Sequence, residues 1–138
     1  MADILKTVSN PLGTLIFKET AANATAVTDV FAKQGATLFS INLNNSANTT
    51  EAVYLKLYED TSATAQSTTV GTTVPVVVME CPASSSVEMY IPQGLAFSSG
   101  NHTHMAVTTE SGVGGGSATA PTGTVQVTLI GSWYDGVI

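Results

Sequence analysis

The sequence predicts an all-β fold, an antiparallel β-sandwich or jelly-roll-like domain of roughly seven or eight short strands with an N-terminal arm. Three observations carry this. Apolar and polar residues alternate with period two from residue 36 onward. Clusters of Asn, Ser, Thr, Gly and Pro punctuate those runs at fairly regular spacing. The 138-residue length suits one domain with one core. Residues 1–30 read as an arm or first strands, and 31–138 as the sandwich domain.

The strands follow from the alternation. In "ATLFSINLNN", Phe39, Ile41 and Leu43 fall on one face, with Ser40 and Asn42 on the other. In "EAVYLKLYED", Val53, Leu55 and Leu57 oppose Tyr54, Lys56 and Tyr58. "VPVVVME" sets Val76 and Val78 against Val77 and Met79, and "SVEMYI" sets Val87, Met89 and Ile91 against Glu88 and Tyr90. "IPQGLAFSSG" kinks at Pro92 and Gly94 before Leu95 and Phe97 resume the pattern, which suits a bend at a sheet corner. "HMAVTT" and "TVQVTLIGSWY" complete the set, the latter with Val125, Val127 and Leu129 opposing Gln126 and Thr128. "TAVTDVFAKQG" reads equally as a short helix, capped by Thr25 or Thr28 and ended by Gly35, or as an extended segment. The loops 62–73 and 111–123 are built from Gly, Ser, Thr and Ala with too few apolar groups to anchor themselves, and the second, long for a hairpin, reads as an interaction loop that a neighbour orders.

Composition narrows the function. Charged residues make up 10% of the chain, where about 25% is usual. Ser, Thr and Asn supply the polarity instead, and such groups are covered by a partner at lower desolvation cost than Lys or Glu. The cations are four lysines (Lys6, Lys18, Lys33 and Lys56) and the net charge is −6. With no arginine to read bases and a charge that repels phosphate, no nucleic-acid partner is expected. The start "MADILKTVSNPLGTLIF" lacks a signal-peptide pattern, and no apolar run approaches the about 18 residues of a span, so synthesis in the cytoplasm and no membrane contact are expected. The N-x-S/T triplets at Asn23, Asn44, Asn48 and Asn101 then reflect composition. The lone Cys81, ending a strand before a proline, reads as a buried small side chain and not as a nucleophile.

Chemistry-bearing constellations are few. His102 and His104 stand two apart in "SGNHTHMAV", so on a strand both rings project from one face. Such a pair suits a metal on a threefold axis and resembles the H-x-H pairs of trimeric phage tail fibres and spikes, but a pair of solvated strand histidines is the preferred reading. No metal or other cofactor is assigned. Glu59 and Asp60 read as a solvated turn at a strand end. No G-x-S-x-G, P-loop, H-E-x-x-H or G-x-G-x-x-G pattern occurs, and no catalytic residues are assigned, so a non-enzyme is expected. Tyr54, Tyr58 and Tyr90 project opposite the apolar faces of their strands, where they stack on sugars, join a protein interface or cover a neighbouring loop. Trp133 and Tyr134 read as anchors of the last strand or of a subunit contact.

The runs "SINLNNSANTTEAVYLKLYED", "VGTTVPVVVMECPASSSVEMYIPQGLAFSSG" and "AVTT" resemble a group of small tailed-bacteriophage virion proteins, through the YLKLY strand and the IPQGLAFSSG segment. The resemblance covers roughly the C-terminal three-quarters of the chain. It implies a β-sandwich subunit of a phage particle and no catalytic residues. The resulting expectation is a capsid decoration or cement protein on the virion surface. It would be a trimer that binds the outside of the major capsid protein shell and stabilises it. Leu5, Val8, Leu12, Leu15, Ile16 and Phe17 are the candidate strap to the capsid or to a neighbouring copy. Two alternatives stand beside it: a tail, fibre or baseplate subunit with the histidines on its axis, and a carbohydrate-binding module for host attachment that uses the tyrosines.

Overall fold

The computed structural model describes residues 13–112 and 118–133. Among them are seven strands and no helix: β1 Leu15–Glu19, β2 Ala36–Asn44, β3 Val53–Asp60, β4 Val77–Cys81, β5 Ser86–Ala96, β6 His102–Thr108 and β7 Gln126–Trp133. They form two antiparallel sheets. Sheet A runs β1-β7-β2-β5, and sheet B runs β4-β3-β6. The two enclose one apolar core in a sandwich-like arrangement.

The alternation read from the sequence places that core. Val53, Leu55 and Leu57 of β3 face Leu38, Ile41 and Leu43 of β2 and Val127 and Leu129 of β7, with Met105 and Val107 of β6 beside them, all fully buried. Burying each of these side chains stabilises the fold by about 1.5–3 kcal/mol. Cys81 is buried at the end of β4, its thiol directed to the Leu43 and Ser85 carbonyls at 3.5 and 3.3 Å.

In β2 the simple alternation fails. The register with β7 shifts between Leu38 and Ser40, so one extra residue sits in the strand. Leu38 and Ile41 both reach the core, and Phe39, expected to point inward with Ile41 and Leu43, is outside the core cluster. Opposite this bulge β5 breaks register as well, at the Pro92–Gly94 kink. Gly94 takes φ +79°, and a Cβ there would run into Thr37 Cγ2 and the Phe39 ring. Only glycine satisfies both demands.

The segment 25–35 is not helical: it bridges β6 at Val27 and then turns through residues 29–35. Val27 exchanges two backbone hydrogen bonds with Met105 at 2.7 and 2.9 Å, Val30 N–H donates to the Thr103 carbonyl, and Val107 N–H donates to the Asn23 carbonyl. Positive φ at Asp29, Ala32 and Gly35 is incompatible with a continuous helix. Residues 23–30 thus cover the free edge of β6. The chain reaches them from β1 by crossing between the sheets at Ala22, whose N–H donates to the Val125 carbonyl.

The polar loops find polar anchors. Residues 62–73 lack apolar ballast, as expected, yet they are fastened by the Asp60 carboxylate and by turns at Ala65 and Thr69. At the far end of the sandwich, the buried Asn45 side chain donates to the carbonyls of Glu51, Cys81 and Pro82. The buried Asn48 donates to Asn45 and to the Gly123 carbonyl, and accepts from Gly123 N–H at 2.5 Å. These bonds, with Thr122 on the Glu51 carboxylate, hold residues 122–123 in place.

Candidate functional site

Each sheet has one face toward the core and one away from it, and any site must be built on the outer faces, the edges or the loops. On the outer face of sheet B, the pairings Tyr58↔His104, Asp60↔His102 and Lys56↔Ala106 place the polar residues of β3 and β6 side by side. Tyr58, Lys56, Asp60 and His104 are all buried there. This corrects the expectation that Tyr58 would be an exposed platform and that Asp60 would end a solvated turn. Loop 62–73, the 110–112 segment and residues 27–31 provide bonding partners to this face.

His104 is not a solvated strand residue. Its Nδ1 accepts the Asp29 N–H at 2.8 Å, and its Nε2 faces the Ser62 carbonyl at 2.9 Å, which fixes the neutral tautomer with the proton on Nε2. The ring thereby ties the β6 edge cover to the loop after β3, with the Asp60 carboxylate 3.7 Å away. His102, half-buried, bonds through Nδ1 to Asp29 Oδ1 at 2.7 Å. The two rings do share a face, and each bonds to Asp29 through its Nδ1. Among the described residues, no three His, Cys, Asp or Glu side chains converge as a metal-ligand set.

Asp60 organises the loop above it. Oδ1 accepts Ser62 N–H at 2.9 Å, and Oδ2 accepts Ser67 N–H at 2.8 Å and the Thr68 hydroxyl at 2.9 Å. Burial pushes this carboxyl up, but these donors outweigh it and hold the group below its ordinary value. Glu59 behaves alike: burial raises it, while Asn101 and Ser98 outweigh that and lower it. Lys56 donates to the Gly112 carbonyl at 2.6 Å, and burial lowers its ammonium against the pull of Glu110. These are structural uses of polar groups; the partners of Glu59 and Lys56 lie far along the chain, whereas those of Asp60 lie in the loop that follows it.

The outer face of sheet A is built differently. The registers Ile16↔Ile130, Lys18↔Thr128, Asn42↔Thr128, Asn42↔Glu88 and Asn44↔Gln126 align hydroxyls, amides and a few apolar groups across four strands. Its aligned charges are Lys18 and Glu88, both exposed. No described loop hydrogen-bonds across it as loop 62–73 does over sheet B. Tyr90 stands at its β5 edge, 62% exposed, while Tyr54 is half-buried with its hydroxyl on Glu80 at 3.3 Å.

Of the candidate strap, Leu5, Val8 and Leu12 lie outside the described residues. Leu15 and Phe17 belong to β1 and pack against the core, leaving Ile16 outward at 43% exposure. Trp133 is also integral: its indole N–H donates to the Phe31 carbonyl at 2.7 Å and the Lys33 ammonium lies 4.3 Å from its ring centre. Tyr134 lies outside the described residues. Neither models of known families nor curated proteins give a match to this chain, so the phage-virion resemblance stands on the quoted sequence runs alone.

Proposed function

We propose that the protein is a non-enzymatic structural subunit of a tailed-phage particle, a decoration or cement protein bound to the outside of the major capsid protein shell. The observation that carries this reading is the outer face of sheet A: open, spread over four strands and almost free of charge. Thr128, Asn42, Asn44 and Gln126 present groups that satisfy hydrogen bonds across an interface without the cost of stripping water from ions. Several copies on adjoining shell subunits gain avidity from modest single contacts, which suits a trimer. The fold reading goes with it. If residues 23–30 count as a strand, eight strands fall into two four-stranded sheets, with the first and last strands adjacent. That is a jelly-roll arrangement of two Greek keys.

The glycan reading loses a platform, since Tyr58 is buried, and the axial-metal reading loses His104, whose two nitrogens are engaged. The test is co-sedimentation with undecorated shells of the same phage. The unaltered protein is expected to pellet with the shell, and Asn42→Lys with Thr128→Lys to remain in the supernatant while folded. An unaltered protein that stays in solution overturns the shell reading. A glycan-array signal would then favour host attachment, and a retained transition metal in native mass spectrometry a tail or fibre component.

A further inference from the structure

On the outer face of sheet A the side chains fall into rows that run across the strands. One row is Lys18, Thr128, Asn42 and Glu88, taken in turn from β1, β7, β2 and β5. Its two charges are opposite in sign, exposed, and set at its two ends, with uncharged groups between them. The next row is Ile16, Ile130, Ser40 and Tyr90, with Phe39 beside Ser40 in the bulge. Here the exposed apolar groups, Ile16 and Tyr90, again stand at opposite ends. A third row carries Gln126, Asn44 and Ser86.

Such a face is complementary to itself. When a copy is turned over about an axis running along the strands between β7 and β2, its β5 falls on β1 and its β2 on β7. Lys18 then meets the partner's Glu88, Ile16 the partner's Tyr90, Thr128 the partner's Asn42 and Gln126 the partner's Asn44, and each contact occurs twice. An axis running across the strands would instead set Lys18 on Lys18 and Glu88 on Glu88, which like-charge repulsion opposes. Either arrangement keeps the strands of the two sheets aligned, as packed sheets prefer. The charges select the first.

We propose that the free protein pairs with a second copy of itself through the outer face of sheet A, about a twofold axis along the strands between β7 and β2. A contact of this kind uses the same patch on both copies and closes at two. Its footprint is roughly 19 Å across four strands by 17 Å along five residues, below the about 800 Å² that each partner gives to a standard stable interface. The pair therefore forms and parts with concentration. The pairing rests on the registers and not on the shell reading. Where that reading holds, a second copy and a shell compete for one face, and the unbound protein keeps that face covered.

The test uses the protein alone. Sedimentation of the full chain over a range of concentrations is expected to show the mass rising from one copy to two and no further. Lys18→Glu and Glu88→Lys, each alone, set like charges together twice and are each expected to leave a single folded chain at concentrations where the unaltered protein is paired. Lys18→Glu combined with Glu88→Lys restores opposite charges and is expected to restore the pair. In one chain Ile16 and Tyr90 are three strand spacings apart, about 14 Å, too far for a disulfide. Oxidation of an Ile16→Cys, Tyr90→Cys variant is therefore expected to give a product of twice the 14.2 kDa chain on a non-reducing gel, with Cys81 buried out of reach. A chain that sediments as one copy at every concentration overturns the proposal, as does a pair that survives either single charge change or a folded double variant that does not pair. The shell reading is decided separately by co-sedimentation: a single-copy protein that pellets with shells overturns the pairing alone.

Discussion

The outer faces of the two sheets use the same residue classes to opposite ends. On sheet B, Lys56, Tyr58, Asp60 and His104 stand where alternation would expose them, and bonded loops bury them. On sheet A, Asn42, Asn44, Gln126 and Thr128 stand in equivalent positions, and no described loop is bonded across them. The difference lies in bonding capacity. A carboxylate or a neutral imidazole can hold a loop by two or three strong bonds, whereas a row of hydroxyls and amides offers weaker ones that water satisfies equally well. One face is therefore covered by the chain itself, and among the described residues the other is not.

The sharpest way to break this contrast is Asp60→Ala. It strands the N–H groups of Ser62 and Ser67 and the Thr68 hydroxyl. At about 1–3 kcal/mol per buried unsatisfied group, a loss of about 3 kcal/mol is expected in urea unfolding, with new protease cleavage in 62–73. A loss below ~0.5 kcal/mol, the size of an ordinary surface change, would mean that the loop is held by something other than this carboxylate.

Acid probes the same anchors more gently. Asp60 and Glu59 have folded-state values lowered below the ordinary carboxylate range, as does Glu110 through its bonds to Thr119. For a lowered carboxyl the contribution is complete above the unfolded value and is lost as pH falls through the folded one. Thermal stability is therefore expected to be flat from neutral pH to about 5 and to decline below about 4, with a shallower decline in Asp60→Asn. A decline beginning above pH 6 would assign the acid sensitivity to other groups. The smallest effect is expected on sheet A: Asn42→Lys and Thr128→Lys should each change stability by less than ~0.5 kcal/mol. A larger loss would mean that this face supports the fold and is not held open for a partner.

Legibility in the sequence follows the same division. Period-two patterning located β3 and β7 and their core faces, Val53, Leu55 and Leu57 against Val127 and Leu129, because burial on one side of a pleated strand leaves that trace. The bulge at Phe39 left none, since one extra residue inverts the phase without altering composition. The fate of His104 was also hidden. Its partners Asp29 and Ser62 lie 75 and 42 residues away, and nothing local to "HTH" distinguishes a ring that will be locked between two loops from one that will face water. The sparsely charged face of sheet A, by contrast, was foreshadowed by a composition poor in charge, although its position on β2 and β7 required the registers.

The antiparallel β1–β7 ladder bears on how the molecule would carry a mechanical load. Leu15 lies opposite Gly131 and Glu19 opposite Val127, so the chain enters β1 beside the point where it approaches the end of β7. Tension applied at the N-terminal end, with the body held through the broad face of sheet A, would peel β1 away rung by rung from Leu15, not shear its paired positions all at once. Peeling yields at low force and stops where the chain crosses to the other sheet at Ala22, beyond which residues 23–30 are bonded along β6. The first strand would then act as a short length of pay-out cable, lengthening as Leu15 and Phe17 leave the core while residues 23–30 stay bonded along β6.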